Sequence, residues 1–258
     1  MDNLNSNINH QVNLVVSLHF CHDSIGVVKM QDEESKNTFS PRIIDGLKHI
    51  FEKIALHSDC KVVLVEGLDN YFCCGGTKEE LMAIFQKEIT FADLDFFKVF
   101  LECPVPVIAV MKGHALGGGL ALACYADILL MAEESIYSTN FMKYGFTPGM
   151  GATCVVPEKL GYTLGHEMLY SAEYYRGKVL QQRGVQVTVV KKSEIDQTAM
   201  NIALSLNKKT RLSLVTLKEA LTSRLRQTLP SVIEHELKMH EITFAQPEVK
   251  TMIEALYQ

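Results

Sequence analysis

The chain has 258 residues, enough for one large domain with an appended helical region and a sizeable core. Its 47% hydrophobic and 21% charged residues, with 16 Gly and 7 Pro, exclude a disordered or fibrous chain. A net charge of -5, from 25 Lys+Arg against 30 Asp+Glu, excludes a dedicated nucleic-acid binder, which needs a concentrated basic surface.

From the start of the chain, Met1 to Gln11 is polar and lacks the basic-then-apolar order of a signal peptide. No apolar run reaches the ~20 residues of a membrane span, so a cytoplasmic protein without membrane contact is expected. The 7 Cys are odd in number and scattered through apolar segments, the usage of reduced thiols rather than a disulfide framework. His19, Cys21 and His22 fall at a strand end and turn instead of on one helix face, so no metal site is expected.

Two short apolar runs, Leu14 to Phe20 and Ile25 to Met30, flank His22-Asp23-Ser24 and predict a β-hairpin. Ser40 before Pro41 is an N-cap and first-turn pairing. Ile43, Ile44, Leu47, Ile50, Phe51 and Ile54 then recur at helical spacing through about Leu56. Lys61 to Glu66, Val105 to Met111 and Asp127 to Ala132 are nearly continuous apolar runs, the pattern of parallel strands buried on both faces. Helical patterns lie between them near Lys78 to Phe85, Phe91 to Leu101, and from the glycine triplet to about Ala126. The alternation predicts an α/β fold. From about Gly149 onward nearly every segment is helical, with one β-like break at Val185 to Val190, which divides the chain into a core over 1–200 and a helical region over 201–258.

Two segments carry chemistry. In Asn70-Tyr71-Phe72-Cys73-Cys74-Gly75-Gly76-Thr77-Lys78-Glu79-Glu80, Thr77 and Glu80 form a capping box, so a helix starts just after two glycines and leaves free N–H groups there. Gly113-His114-Ala115-Leu116-Gly117-Gly118-Gly119-Leu120-Ala121 repeats the plan of strand, glycines and helix. Two such N–H groups facing one point can hold a developing oxyanion, although a glycine turn of this kind also serves phosphate binding or close packing.

Phe-x-x-Gly-Gly, then His-Ala-x-Gly-Gly-Gly, then Tyr-Ala-Asp and Gly-Phe-x-Pro-Gly-Met-Gly, in that order, resembles the crotonase (enoyl-CoA hydratase/isomerase) superfamily over residues 12 to the end. The resemblance implies a spiral of ββα units, a C-terminal helical trimerisation region, an acyl-thioester substrate and no cofactor. It also implies an oxyanion hole from the backbone N–H groups of Gly76 and Gly118. The two water-delivering glutamates of the family's hydratases fall on Ala121 and Phe141, neither of which can transfer a proton.

A retained hole without those carboxylates suits a reaction whose bond cleavage makes its own enolate, and decarboxylation is the simplest. Lys78, two residues after Gly76, can reach the hole despite the unfavourable helix dipole. Ile233, Leu237, His240 and Phe244 share one helical stripe, so His240 points inward, while His235 lies off it; a satisfied core histidine has the same pattern. Phe-Cys-Cys-Gly-Gly-Thr-Lys-Glu-Glu-Leu and Glu-Leu-Lys-Met-His-Glu-Ile-Thr-Phe narrow the resemblance to the decarboxylating crotonases of polyketide β-branching cassettes, of the bacillaene type. Those enzymes convert 3-methylglutaconyl on an acyl carrier protein to 3-methylcrotonyl. The resemblance carries their lysine onto Lys78, for the leaving carboxylate, and their histidine onto His240, to donate or orient the proton.

Tyr71, Cys74 and Tyr144 are pocket-lining candidates beside Ala121 and Phe141, and His114 is expected to bond backbone in a turn. The basic run that begins with Lys208, Lys209 and Arg211 is a candidate docking face for an acidic carrier protein. A homotrimer, or a dimer of trimers, is implied by the resemblance alone. Two alternatives stand beside decarboxylation: a hydratase or isomerase that uses Lys78 or His240, and a non-catalytic thioester-binding member of the fold.

Overall fold

A computed structural model describes residues 15–90 and 95–257. Leu14 of the first expected strand and residues 91–94 of an expected helix lie outside the described residues. The hairpin forms as β1 (Val16–Cys21) and β2 (Ile25–Met30), paired from Val16↔Met30 to Cys21↔Ile25. His22 and Asp23 at its turn take φ of 46° and 61°, the left-handed backbone that a tight link between twisted strands requires.

β2 begins a parallel series with β3 (Val62–Glu66), β5 (Val107–Met111), β7 (Ile128–Ala132) and β10 (Thr188–Val190), giving a six-stranded sheet in the order β1-β2-β3-β5-β7-β10. The continuous apolar runs have a direct cause. Val63 and Val65 face the main core, whereas Val62 and Leu64 face a second cluster with Ile195, Ala199 and Ala203 of α8 (Ile195–Asn207). A strand covered on both sides has no polar face to alternate with. Because α8 covers the sheet in this way, a boundary at residue 200 falls inside a helix that is packed on the core.

A second sheet, in the order β4-β6-β8-β9, consists of very short strands: β4 (Tyr71–Cys73), β6 (His114–Leu116), β8 (Ile136–Ser138) and β9 (Tyr175–Arg176). β4, β6 and β8 each follow a long strand of the first sheet. β4 and β6 are followed in turn by α2 (Lys78–Phe85) and α4 (Gly118–Ala123), so the chain advances by ββα units. The helix α1 (Pro41–Leu56) is capped by the Ser40 hydroxyl and buries Ile43, Leu47, Ile50, Phe51 and Ile54. The expected helix near 91–101 is reduced, among described residues, to a 3-10 turn over Asp95–Lys98 and α3 (Val99–Glu102).

Beyond β8 come α5 (Ala152–Leu160), α6 (Tyr162–Ser171) and α7 (Gly177–Gln182). After α8, the 33-residue α9 (Arg211–Thr243) runs back across the body and α10 (Pro247–Leu256) closes the chain over α2. The basic run holds α9 in place. The Lys218 ammonium, 3% exposed, donates to the carbonyls of Phe100 and Val105 at 2.8 and 3.1 Å and pairs with Asp127 at 2.9 Å. Arg226 donates to the Leu101 carbonyl, and Arg211 Nε to the Cys60 carbonyl at 3.0 Å. Among the described residues no helix is long and apolar enough to cross a membrane.

Candidate active site

The two glycine loops meet. Gly75 has φ +81°, and a Cβ there would lie 2.9 Å from the Leu116 carbonyl and 3.0 Å from the Gly118 nitrogen. Gly117, at φ +54°, leaves no room beside the Asn140 side chain, whose Oδ1 would sit 2.6 Å from an added Cβ. Gly119 rests on the Cys73 carbonyl, 2.1 Å from where a Cβ would be. Any side chain at these three positions would push the loops apart.

The capping box is present: Glu80 N–H donates to Thr77 Oγ1 at 3.1 Å, and Thr77 N–H to the Glu80 carboxylate at 2.9 Å. Phe39 N–H donates to the Gly75 carbonyl at 2.8 Å, which fixes the peptide whose other side is the Gly76 N–H. Gly118, the first residue of α4, has no carbonyl one turn behind it to accept its N–H. Gly76 and Gly118 line one cleft, together with Cys74, Phe141, Tyr144, Phe146, Met150 and Tyr257. No described carboxylate lines it. The cleft thus brings Gly76 and Gly118 to one wall, and two backbone N–H groups aimed from there at a single carbonyl oxygen would stabilise a developing oxyanion.

The other expected residues divide. Phe141 (5% exposed), Cys74 and Tyr144 line the cleft; Ala121 does not, because its position on α4 turns it into the core, where it is fully buried. Tyr71 lines an open outer groove that shares Cys74, Asn140, Tyr144 and Tyr257 with the cleft. Burial pushes the Cys74 thiol up to about 11 and the Tyr144 hydroxyl up to about 12, so both stay protonated at neutral pH. His114 sits on β6 and accepts the Ile136 N–H through Nδ1 at 3.0 Å, a backbone role.

Lys78 also lines the outer groove and not the cleft; its Nζ donates to the Glu254 carbonyl at 3.4 Å. His240 stands elsewhere, in a separate cavity of about 460 Å³ that it shares with Lys87 and Thr90. Its Nε2 lies 2.9 Å from the Thr147 carbonyl and 3.1 Å from that of Pro148, so Nε2 carries the proton and donates it. Burial lowers its pKa, which keeps the ring neutral at pH 7. From this cavity a chain of rings leads to the cleft wall: His240 edge-on to Phe244 at 5.6 Å, and Phe244 stacked on Phe146 at 4.6 Å. His235 is exposed.

Lys208 and Lys209 are exposed at the end of α8, which packs on the face of the first sheet opposite the main core, whereas the cleft residues Leu81, Phe146 and Met150 belong to the main-core side. Sequence reasoning missed Glu236, Tyr257 and Lys87. Glu236, one turn before His240, is 2% exposed and accepts Gly151 N–H (2.6 Å), Thr153 N–H (2.9 Å) and Thr153 Oγ1–H (2.6 Å). The i, i+4 spacing of Glu236 and His240 was the signal. Lys87 follows Gln86, the C-cap of α2, at φ +62°, a backbone that disfavours any side chain, and no sequence pattern marks it.

An enoyl-CoA hydratase/isomerase family model matches residues 21–258. The bacillaene synthase decarboxylase PksI of Bacillus subtilis (strain 168) is 48% identical over 94% of this chain and 98% of its own length. A solved structure from a dehydratase/decarboxylase enzyme couple involved in polyketide β-branching, also 48% identical, superposes with a TM-score of 0.93 over 94% of this chain and 99% of its own. The ECH2 decarboxylase domain of CurF from Lyngbya majuscula, 40% identical, gives 0.88 over 94% and 99% of the two chains.

Proposed function

The chain belongs to the enoyl-CoA hydratase/isomerase family and is a decarboxylase of polyketide biosynthesis, and we propose that it acts on a 3-methylglutaconyl thioester carried by an acyl carrier protein, giving the 3-methylcrotonyl thioester. The observation that supports this reading is a cleft lined by Gly76 and Gly118 with no described carboxylate in its wall. The thioester oxygen takes the N–H groups of Gly76 and Gly118. The bond to the carboxylate carbon breaks, CO2 leaves, and the electron pair spreads through the dienolate onto that oxygen. A proton then returns to carbon.

The two ends of the substrate occupy different sides of the hole. The pantetheine arm must lead out to its carrier, and among the described residues the outer groove with Lys78 and Lys36 shares Cys74, Asn140, Tyr144 and Tyr257 with the cleft, which offers the arm a way out. The acyl end therefore turns toward Phe146 and, behind the Phe146–Phe244 pair, the cavity of His240 and Lys87. This assigns Lys78 to the arm and its phosphate. Lys87 is the cation on the side of the departing carboxylate, and His240 orients that side by holding Thr147 and Pro148. Assembly as a homotrimer has support in exposed apolar side chains along α9, with Leu212 at 77% and Leu221 at 73%.

Intact mass spectrometry of the 3-methylglutaconyl carrier protein after incubation tests the reading. The expected result is loss of CO2, faster on the carrier than on the matching CoA thioester. Gain or loss of water would establish a hydratase instead, and no change on either would establish a binding scaffold.

A further inference from the structure

Gly76 is the least constrained residue of the oxyanion hole. A Cβ built on it meets nothing nearer than 3.8 Å, so neither packing nor a side chain fixes its backbone. Hydrogen bonds on the two flanking peptides must do so. The peptide before it is held through the Gly75 carbonyl by Phe39 N–H at 2.8 Å. The peptide after it is held on its N–H side by the Glu80 carboxylate, at 2.9 Å from Thr77 N. Its carbonyl side accepts the hydroxyl of Tyr257, a residue 181 positions along the chain.

We propose that Tyr257 is a positioning residue for decarboxylation, which latches α10 onto the Gly76 carbonyl and so aims the Gly76 N–H at the thioester oxygen. The proposal rests on the oxyanion hole assigned above. Tyr257 is well placed to act as a fixed donor. Val249 and Ile253 of α10 are fully buried, the Tyr257 ring lies 5.9 Å from that of Tyr144, and the Glu254 carbonyl receives Lys78 Nζ at 3.4 Å. The ring lines both the cleft and the outer groove, so the latch closes at the place where the arm would pass. Burial raises the hydroxyl pKa, which keeps the donor protonated across the neutral range. Without it, the peptide after Gly76 is held on one side only, so the Gly76 dihedrals relax and the preceding peptide, which carries the donor and is held by the Phe39 bond alone, tilts over a wider range while the cleft keeps its shape.

The test is Tyr257→Phe in the full chain, which removes one oxygen and keeps the ring. We expect kcat for carrier-bound thioester to fall roughly tenfold, with KM within about twofold and the thermal midpoint unchanged, because only interactions that strengthen in the transition state move kcat alone. Amide hydrogen exchange of the segment containing Gly76 to Lys78 should quicken in the same variant. Wild-type kcat together with unchanged exchange would overturn the latch, as would a raised KM at constant kcat, which would make Tyr257 a wall of the arm groove. Faster exchange in a protein whose wild type fails to release CO2 would uphold the latch and reject the decarboxylase instead.

Discussion

Glu236 and His240 stand one turn apart on α9 and grip opposite ends of a single loop. The Glu236 carboxylate takes the N–H groups of Gly151 and Thr153 at the start of α5, while His240 Nε2 donates to the carbonyls of Thr147 and Pro148. Between these grips lies Met150, whose sulfur faces Gly118 and whose carbonyl accepts the Tyr125 hydroxyl at 2.6 Å. The long helix thus sets one wall of the cleft without entering it.

Glu236→Ala removes an acceptor shared by three buried donors, and a stability loss of about 2–4 kcal/mol is expected in urea denaturation. Glu236→Gln should cost less, since the amide oxygen still accepts and the charge whose burial raises the Glu236 pKa is gone. Equal losses for both variants would show that charge, not acceptance, secures the loop.

The depressed pKa of His240 links stability to pH. The folded state binds fewer protons at this ring than the unfolded state, whose value is about 6.5, so its stabilisation is complete above 6.5 and is lost as pH falls through the lower folded value. The thermal midpoint should therefore fall between pH 7 and pH 5 more steeply in the wild type than in His240→Asn. Parallel curves would remove His240 as the linked group.

At Gly118 an added methyl would meet the Phe39 ring at 2.5 Å and the Met150 sulfur at 3.1 Å. Gly118→Ala shifts the N–H it carries, and decarboxylation should slow by about 10²–10³, the cost of one oxyanion donor. Binding of an unreactive thioester should weaken much less, because the ground-state carbonyl gains little from that donor.

The two lysines should separate kinetically. Lys87→Ala is expected to lower kcat tenfold or more, and Lys78→Ala to raise KM for the carrier thioester with kcat nearly kept. Charge reversal at Lys208 and Lys209, on the far side of the first sheet, should leave KM unchanged. The opposite split between Lys78 and Lys87 would return Lys78 to the leaving carboxylate.

The long strands, α1 and the capping box of α2 were legible because burial on two faces, helical periodicity and Thr77/Glu80 each leave a local mark. The second sheet left none. Three residues such as Tyr71-Phe72-Cys73 cannot display a two-residue alternation, and the register shift between Tyr71 and Cys73 blurs it further. Gly76, with room for a Cβ, was marked only by its place before the Thr77 capping box, whereas Gly75, Gly117, Gly118 and Gly119 were legible because close approach tolerates no side chain there. The separation of Lys78 from His240 was not, since it depends on Phe146 and Phe244 stacking across 98 positions of sequence, the difference between those two numbers. In the basic run, Lys218, Arg211 and Arg226 engage carbonyls and Asp127, which sequence spacing does not display, while Lys208 and Lys209 stay exposed.

The cleft wall without a described carboxylate has a last consequence, for what leaves the enzyme. Decarboxylation of an unsaturated diacid thioester yields another unsaturated thioester, the very kind of molecule that a hydratase would take as substrate. An enzyme able to activate water would turn part of its own product into an alcohol before release. With phenylalanine at position 141 and alanine at 121, water in the cleft meets no carboxylate base among the described residues that line it. On the proposed substrate, the double bond would survive its own birthplace and the methyl branch would be handed on unsaturated.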